Sequence, residues 1–122
     1  MMTKIAITAA LLALTGSAAI AAEITDRTPC SVAVKAWDSR DMDAVHEIGQ
    51  FIENTMQDLD FNHTDNGEPG IMAGMNDHGK ATAVASAVGF CRQHPRATIY
   101  NEAASAYDGL REIDLQLGVG AK

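Results

Sequence analysis

Cys91, three residues ahead of the His94-Pro95 pair, constrains this chain more than any other feature. From Asp77 onward, Ala81, Val84, Ala85, Val88 and Cys91 recur at three- and four-residue spacing, which predicts a helix. Pro95 stops that run, and a second one starts near Thr98. Two helices therefore meet at a corner within Asp77 to Tyr107, with one of only two cysteines on the last turn before it. A disulfide there would tie the corner to a distant segment.

The start of the chain says where such a bond could form. Lys4 precedes an apolar run from Ile5 to Leu14 and small residues ending in Ala19-Ile20-Ala21. A short basic start, an apolar stretch too brief to span a bilayer and an A-x-A site describe a secretory signal peptide, residues 1–21. Residues 22–122 then form one domain, exported to the periplasm or secreted. In an oxidising compartment two cysteines are most simply one disulfide, Cys30 to Cys91. It closes a loop of about 62 residues, and the chain-entropy estimate for such a loop is about 4 kcal/mol. A domain of this size has a total stability of only about 5–10 kcal/mol, so the bridge is a large share.

Charge narrows the partners. The whole chain has 9 Lys and Arg against 16 Asp and Glu, a net charge of −7. Without Lys4 the mature side chains stand at eight against sixteen, or −8. Nucleic acid and anionic membranes are poor partners for such a surface.

Between the cysteines and beyond, the pattern is mostly helical. Val32, Val34 and Ala36 alternate with Ser31, Ala33 and Lys35 before Trp37, which suits a short strand; one helical turn carrying Cys30 and Trp37 inward fits nearly as well. Asp38 or Ser39 can cap the next helix, with Asp41 and Asp43 in its first turn. Met42, Val45, Ile48, Ile52, Met56 and Leu59 form its apolar stripe, and Gly49 marks a place for close approach of another helix. The segment DFNHTDNGEPG, Asp60 to Gly70, is dense in turn formers and should end that helix. Ile71 to Met75 reads as one apolar turn. Asn76 or Asp77 caps the second long helix, whose many small residues suit the most enclosed position. After Pro95, Thr98 caps a third helix with a stripe of Ile99, Ala103, Ala106, Leu110, Ile113 and Leu117, and Tyr107 beside it. The fold class expected is all-α: a small bundle of three main helices plus short segments, stapled by one disulfide.

Chemistry-bearing motifs are few. Cys91 and His94 could pair as a nucleophile and base, but only if the thiol were free. Asp58, Asp60, Asn62, His63, Asp65 and Glu68 invite a calcium reading, yet neither register supplies the glutamate such a loop requires, and Asx turns explain the composition. His46, His63, His78 and His94 lack zinc spacing. No nucleotide-binding or esterase signature is present, and no catalytic, cofactor or metal residues are assigned. Met42, Met56, Met72 and Met75 read as core packing, with an adaptable binding face as the alternative.

The run Gly89-Phe90-Cys91-Arg92-Gln93-His94-Pro95, followed by a helix from Thr98, resembles the second cysteine corner of the HdeA/HdeB family of small periplasmic acid-stress chaperones, with Cys30, ahead of Trp37, standing for the first. The resemblance implies a non-enzymatic homodimer that loosens in acid and covers the apolar surface of unfolding clients. In acid the mature side chains would swing from −8 toward +12, from eight Lys and Arg and four His. Two other readings stand beside it. One is a secreted inhibitor or immunity-type module whose acidic surface binds one basic protein partner. The other is a small enzyme with a cleft at the polar loop.

Overall fold

The computed structural model describes residues 24–117, apart from the side chains of 115–117; the expected signal peptide, residues 1–21, lies outside the described residues. Among the described residues the chain is an all-α bundle of four helices: α1 Cys30–Ser39, α2 Met42–Asp65, α3 Asp77–Gln93 and α4 Ile99–Leu117. Among the described residues the only β pairing is an isolated antiparallel bridge between Pro29 and Thr98.

The segment expected as a strand is the helix α1. Its inward residues are Cys30, Ala33 and Ala36, one helical turn apart, while Val32 and Val34 are half-buried on its flanks. Burial of the small residues outweighs the extended preference of the two valines. Arg40 ends α1 in the left-handed region, φ 55°, where its N–H donates to the Trp37 carbonyl at 3.3 Å. The cap of α2 is therefore Asp41 rather than Asp38 or Ser39, which belong to α1. The Asp41 carboxylate accepts from the Ala44 amide at 3.3 Å.

α2 continues through DFNHTD, which was expected to end it. Ile48, Ile52, Met56 and Asp60 lie four residues apart and all are buried, so one inward line carries the helix past the polar residues. The stripe begins later than its pattern suggests: Met42 is 68% exposed and Ala44 is buried instead. Residues 66–76 form a loop, without the helical turn expected at 71–75, and Ile71 and Met72 drop from it into the core.

Asn76 caps α3 by accepting from the Gly79 amide at 2.8 Å. α3 touches the other three helices, most extensively α4. Its buried side is Ala83, Ala87, Val88 and Cys91, whereas Ala81 and Ala85 of the expected stripe are exposed and Val84 is half-buried. One side of the helix expected to be most enclosed is thus open. At the far end of α3 the corner forms as expected. The Thr98 hydroxyl accepts from the Asn101 amide at 3.1 Å and starts α4. The Cys30 amide donates to the Ala97 carbonyl at 2.7 Å, and the Ile99 amide donates to the Thr28 carbonyl at 2.9 Å. Cys30 and Cys91 are bonded there, their Cα atoms 4.9 Å apart and both fully buried.

In α4, Ile99, Ala103 and Ala106 are buried as their spacing predicts. Ile113 is not: it is 56% exposed. The inward line runs instead through Ala103, Tyr107 and Arg111, each four residues on from the last. The Leu117 side chain lies outside the described residues. Among the described residues no helix is long and apolar enough to cross a membrane.

Candidate functional site

Asp60 stands on the core register of α2, four residues after Met56, and is only 5% exposed. A carboxylate in that position must find partners, since an unpaired buried charge is costly. It finds them on two other elements. The Tyr107 hydroxyl of α4 donates to its Oδ1 at 2.6 Å. The Ile71 amide donates to both oxygens, at 2.9 and 3.1 Å, and the Met72 amide donates to Oδ2 at 2.9 Å. Arg111 stands behind, with Nη1 3.9 Å from Asp60 Oδ1, and donates to the Pro69 carbonyl at 2.6 Å. One carboxylate and one guanidinium thereby hold the loop that carries Ile71 and Met72 against α2 and α4.

Burial by itself would raise the Asp60 carboxyl, but the Tyr107 hydroxyl, the two loop amides and the Arg111 charge together outweigh it and hold it below its ordinary value. Tyr107 moves the other way: burial, then its bond to the Asp60 carboxylate, pushes the phenol up. At the outer edge His63 Nδ1 meets Glu68 Oε1 at 2.6 Å, and that bond draws the exposed Glu68 carboxyl down. The His63 ring also lies near Tyr107, centroids 5.9 Å apart. With both oxygens of Asp60 accepting from donors, the carboxylate is a fastener for the loop rather than a base open to a substrate.

This fastener and the disulfide occupy opposite ends of the bundle. Arg111 lies twelve residues along α4 from Ile99, about 18 Å of helix, and Ile99 is bonded to Thr28 beside the Cys30 bridge. Along the open side of α3 runs a groove of about 480 Å³. Trp37, Val45, Gly49 and Val84 line it, with Glu53 and Lys80 also in its wall. Gly49 does not serve tight helix packing there, because a Cβ on it would meet only Val84 Cγ1, at an ordinary 3.8 Å.

The other residues singled out by their sequence are scattered. Cys91 is bonded to Cys30, so no thiolate faces His94, whose Nδ1 lies 2.8 Å from Glu102 Oε1 instead. His46 and His78 are exposed on different helices. Asp58, Asn62 and Asp65 are exposed residues of α2, and Asp60 alone of that acidic segment turns into the core. Among the described residues no three His, Cys, Asp or Glu side chains gather closely enough to hold a metal ion. Met56 and Met72 pack in the core, Met75 is half-buried and Met42 is exposed. Tyr107 and Arg111 were missed as partners of Asp60. The available signal was the register: Asp60 extends the line of Ile52 and Met56, and Arg111 extends that of Ala103 and Tyr107.

No family model, no curated protein and no solved structure matches the chain, so the reading of the site rests on the residues themselves.

Proposed function

We propose that this chain is a non-enzymatic exported protein that loosens in acid and then covers the apolar surface of unfolding clients, as its resemblance to the HdeA/HdeB chaperones implies. The observation that carries this reading is the Asp60 fastener. It is a buried carboxylate with lowered pKa, and it pins the loop that carries Ile71 and Met72 into the core. Protonation removes the charge that the Tyr107 hydroxyl, two amides and Arg111 stabilise, so the loop's attachment weakens in acid. The loop is then free to leave, and Ile71 and Met72 join Phe61, already 67% exposed nearby, as apolar surface for a client. The distant Cys30–Cys91 bond keeps the loosened chain from extending fully.

The test is aggregation of an acid-unfolding client enzyme at about pH 3 and at neutral pH, with wild type and Asp60→Asn. Wild type should suppress aggregation in acid only, and Asp60→Asn, its fastener already weakened, should act at a higher pH. A protein that binds no hydrophobic dye and suppresses nothing in acid would remove this reading.

A further inference from the structure

On the face of α2 opposite the Trp37 groove lies a second cleft, of about 350 Å³. Phe51 and Leu59 of α2 and Tyr100 of α4 supply its apolar surface, and Asp26 and Asp58 supply carboxylates. We propose that this cleft binds a small organic cation, an aliphatic amine with one or more ammonium groups on a methylene chain.

Three observations point to that chemistry. First, the volume falls in the range of small-molecule sites, and rings and aliphatic carbon on its walls suit methylenes. Second, no Lys, Arg or His lines this cleft, whereas three other surface clefts of comparable size each include a lysine, Lys80 or Lys35. Third, both carboxylates, like most carboxylates of this acidic chain, lack an ion-pair partner among the described residues, so no cation of the described residues offsets the cleft's charge. Two uncompensated negative charges beside two aromatic rings favour a positive charge that can also touch a ring face. The amide oxygen of Asn62, in the same lining, is a further acceptor for ammonium protons, whereas that of Asn54 already accepts from Gln50 Nε2 at 3.1 Å. A hard metal ion fits poorly, because it takes six or more oxygen ligands in a tight shell and most of this wall is carbon.

The inference is separate from the acid fastener, since Asp60 is not part of this cleft. It is tested on the full-length protein at neutral pH by titration with cadaverine, spermidine, neutral hexanol and magnesium at matched ionic strength. Calorimetry follows binding, and the ring resonances of Phe51 and Tyr100 locate it. The amines should bind saturably with one molecule per chain and shift both rings, and hexanol and magnesium should do neither. Tyr100→Ala should weaken the amines about two- to fivefold, and Asp58→Asn about fivefold or more. Glu47→Gln, an exposed charge change elsewhere on α2, should leave them unchanged. Unshifted rings, equal binding of magnesium, or equal losses in Glu47→Gln and Asp58→Asn would each overturn the site, the last by assigning binding to diffuse charge. Binding of a lysine-rich peptide where the free amines fail would also overturn it, in favour of a protein partner.

Discussion

The Tyr107 hydroxyl donates to Asp60 at 2.6 Å across 47 residues of sequence, and this bond joins α4 to α2 at the end of the bundle away from the disulfide. Both groups are buried, so breaking the bond leaves a polar atom with nowhere to turn. Asp60→Asn should lower the free energy of unfolding by about 2–4 kcal/mol, because it removes the charge facing Arg111 and disturbs the loop amides. Tyr107→Phe should cost about 1–2 kcal/mol, and the double variant less than the sum. Urea titrations of the three variants check this.

Stability should fall in acid, with a sign fixed by the depressed Asp60 carboxyl. A group held below its ordinary value contributes fully above that value, 3.8 for aspartate here, and its contribution disappears as pH falls through the folded-state value. The exposed Glu68 carboxyl, also lowered, acts in the same direction. Urea midpoints measured from neutral pH into strong acid should drop most steeply below about pH 4, and Asp60→Asn should flatten that drop.

Replacing both Cys30 and Cys91 by Ala should cost about 4 kcal/mol on the loop-entropy estimate. The antiparallel bridge of Pro29 with Thr98 keeps the corner partly tied. Thermal unfolding of the double variant at neutral pH measures the loss.

Arg40 is a non-glycine residue at φ 55° and donates its amide in closing α1. Arg40→Gly relieves the Cβ clash of that conformation and should raise stability by about 1 kcal/mol. A higher urea midpoint with unchanged slope is the expected result.

Two glycines should answer oppositely to alanine. At Gly70 a Cβ would lie 2.7 Å from Thr64 Cγ2 and 2.9 Å from Asp60 Oδ2, so Gly70→Ala must displace the loop from its fastener and destabilise. At Gly49 only Val84 is near, so Gly49→Ala should stabilise α2 by up to about 1 kcal/mol. Thermal midpoints of the two variants, measured side by side, decide it.

Periodicity made most of the bundle legible: the three long helices, the corner at Pro95, the Thr98 cap and, as one of two candidates beside Asp77, the Asn76 cap follow from apolar spacing and capping chemistry. α1 was harder to read. Its buried line is made of Cys30 and two alanines, which a hydrophobicity pattern weighs less than the valines on its flanks. The end of α2 was hidden by composition, because Asp60, Asn62 and Asp65 are turn formers wherever nothing else commits them. Asp60 is committed by a tyrosine, an arginine and two loop amides that only the folded chain brings within reach. A carboxylate in step with Ile52 and Met56 was the trace this left in the sequence, but it does not say which donors will meet it.

Residues 66–76 lie between the two bonded cysteines, outside any helix and largely exposed. A protease that nicks this stretch would therefore release no fragment from the region the sulfur bridge encloses. It would leave a two-chain molecule that migrates as one band until a reductant is added. The covalent ring is opened by such a cut but not divided, and the loop held by Asp60 can be severed while the corner keeps both pieces in register.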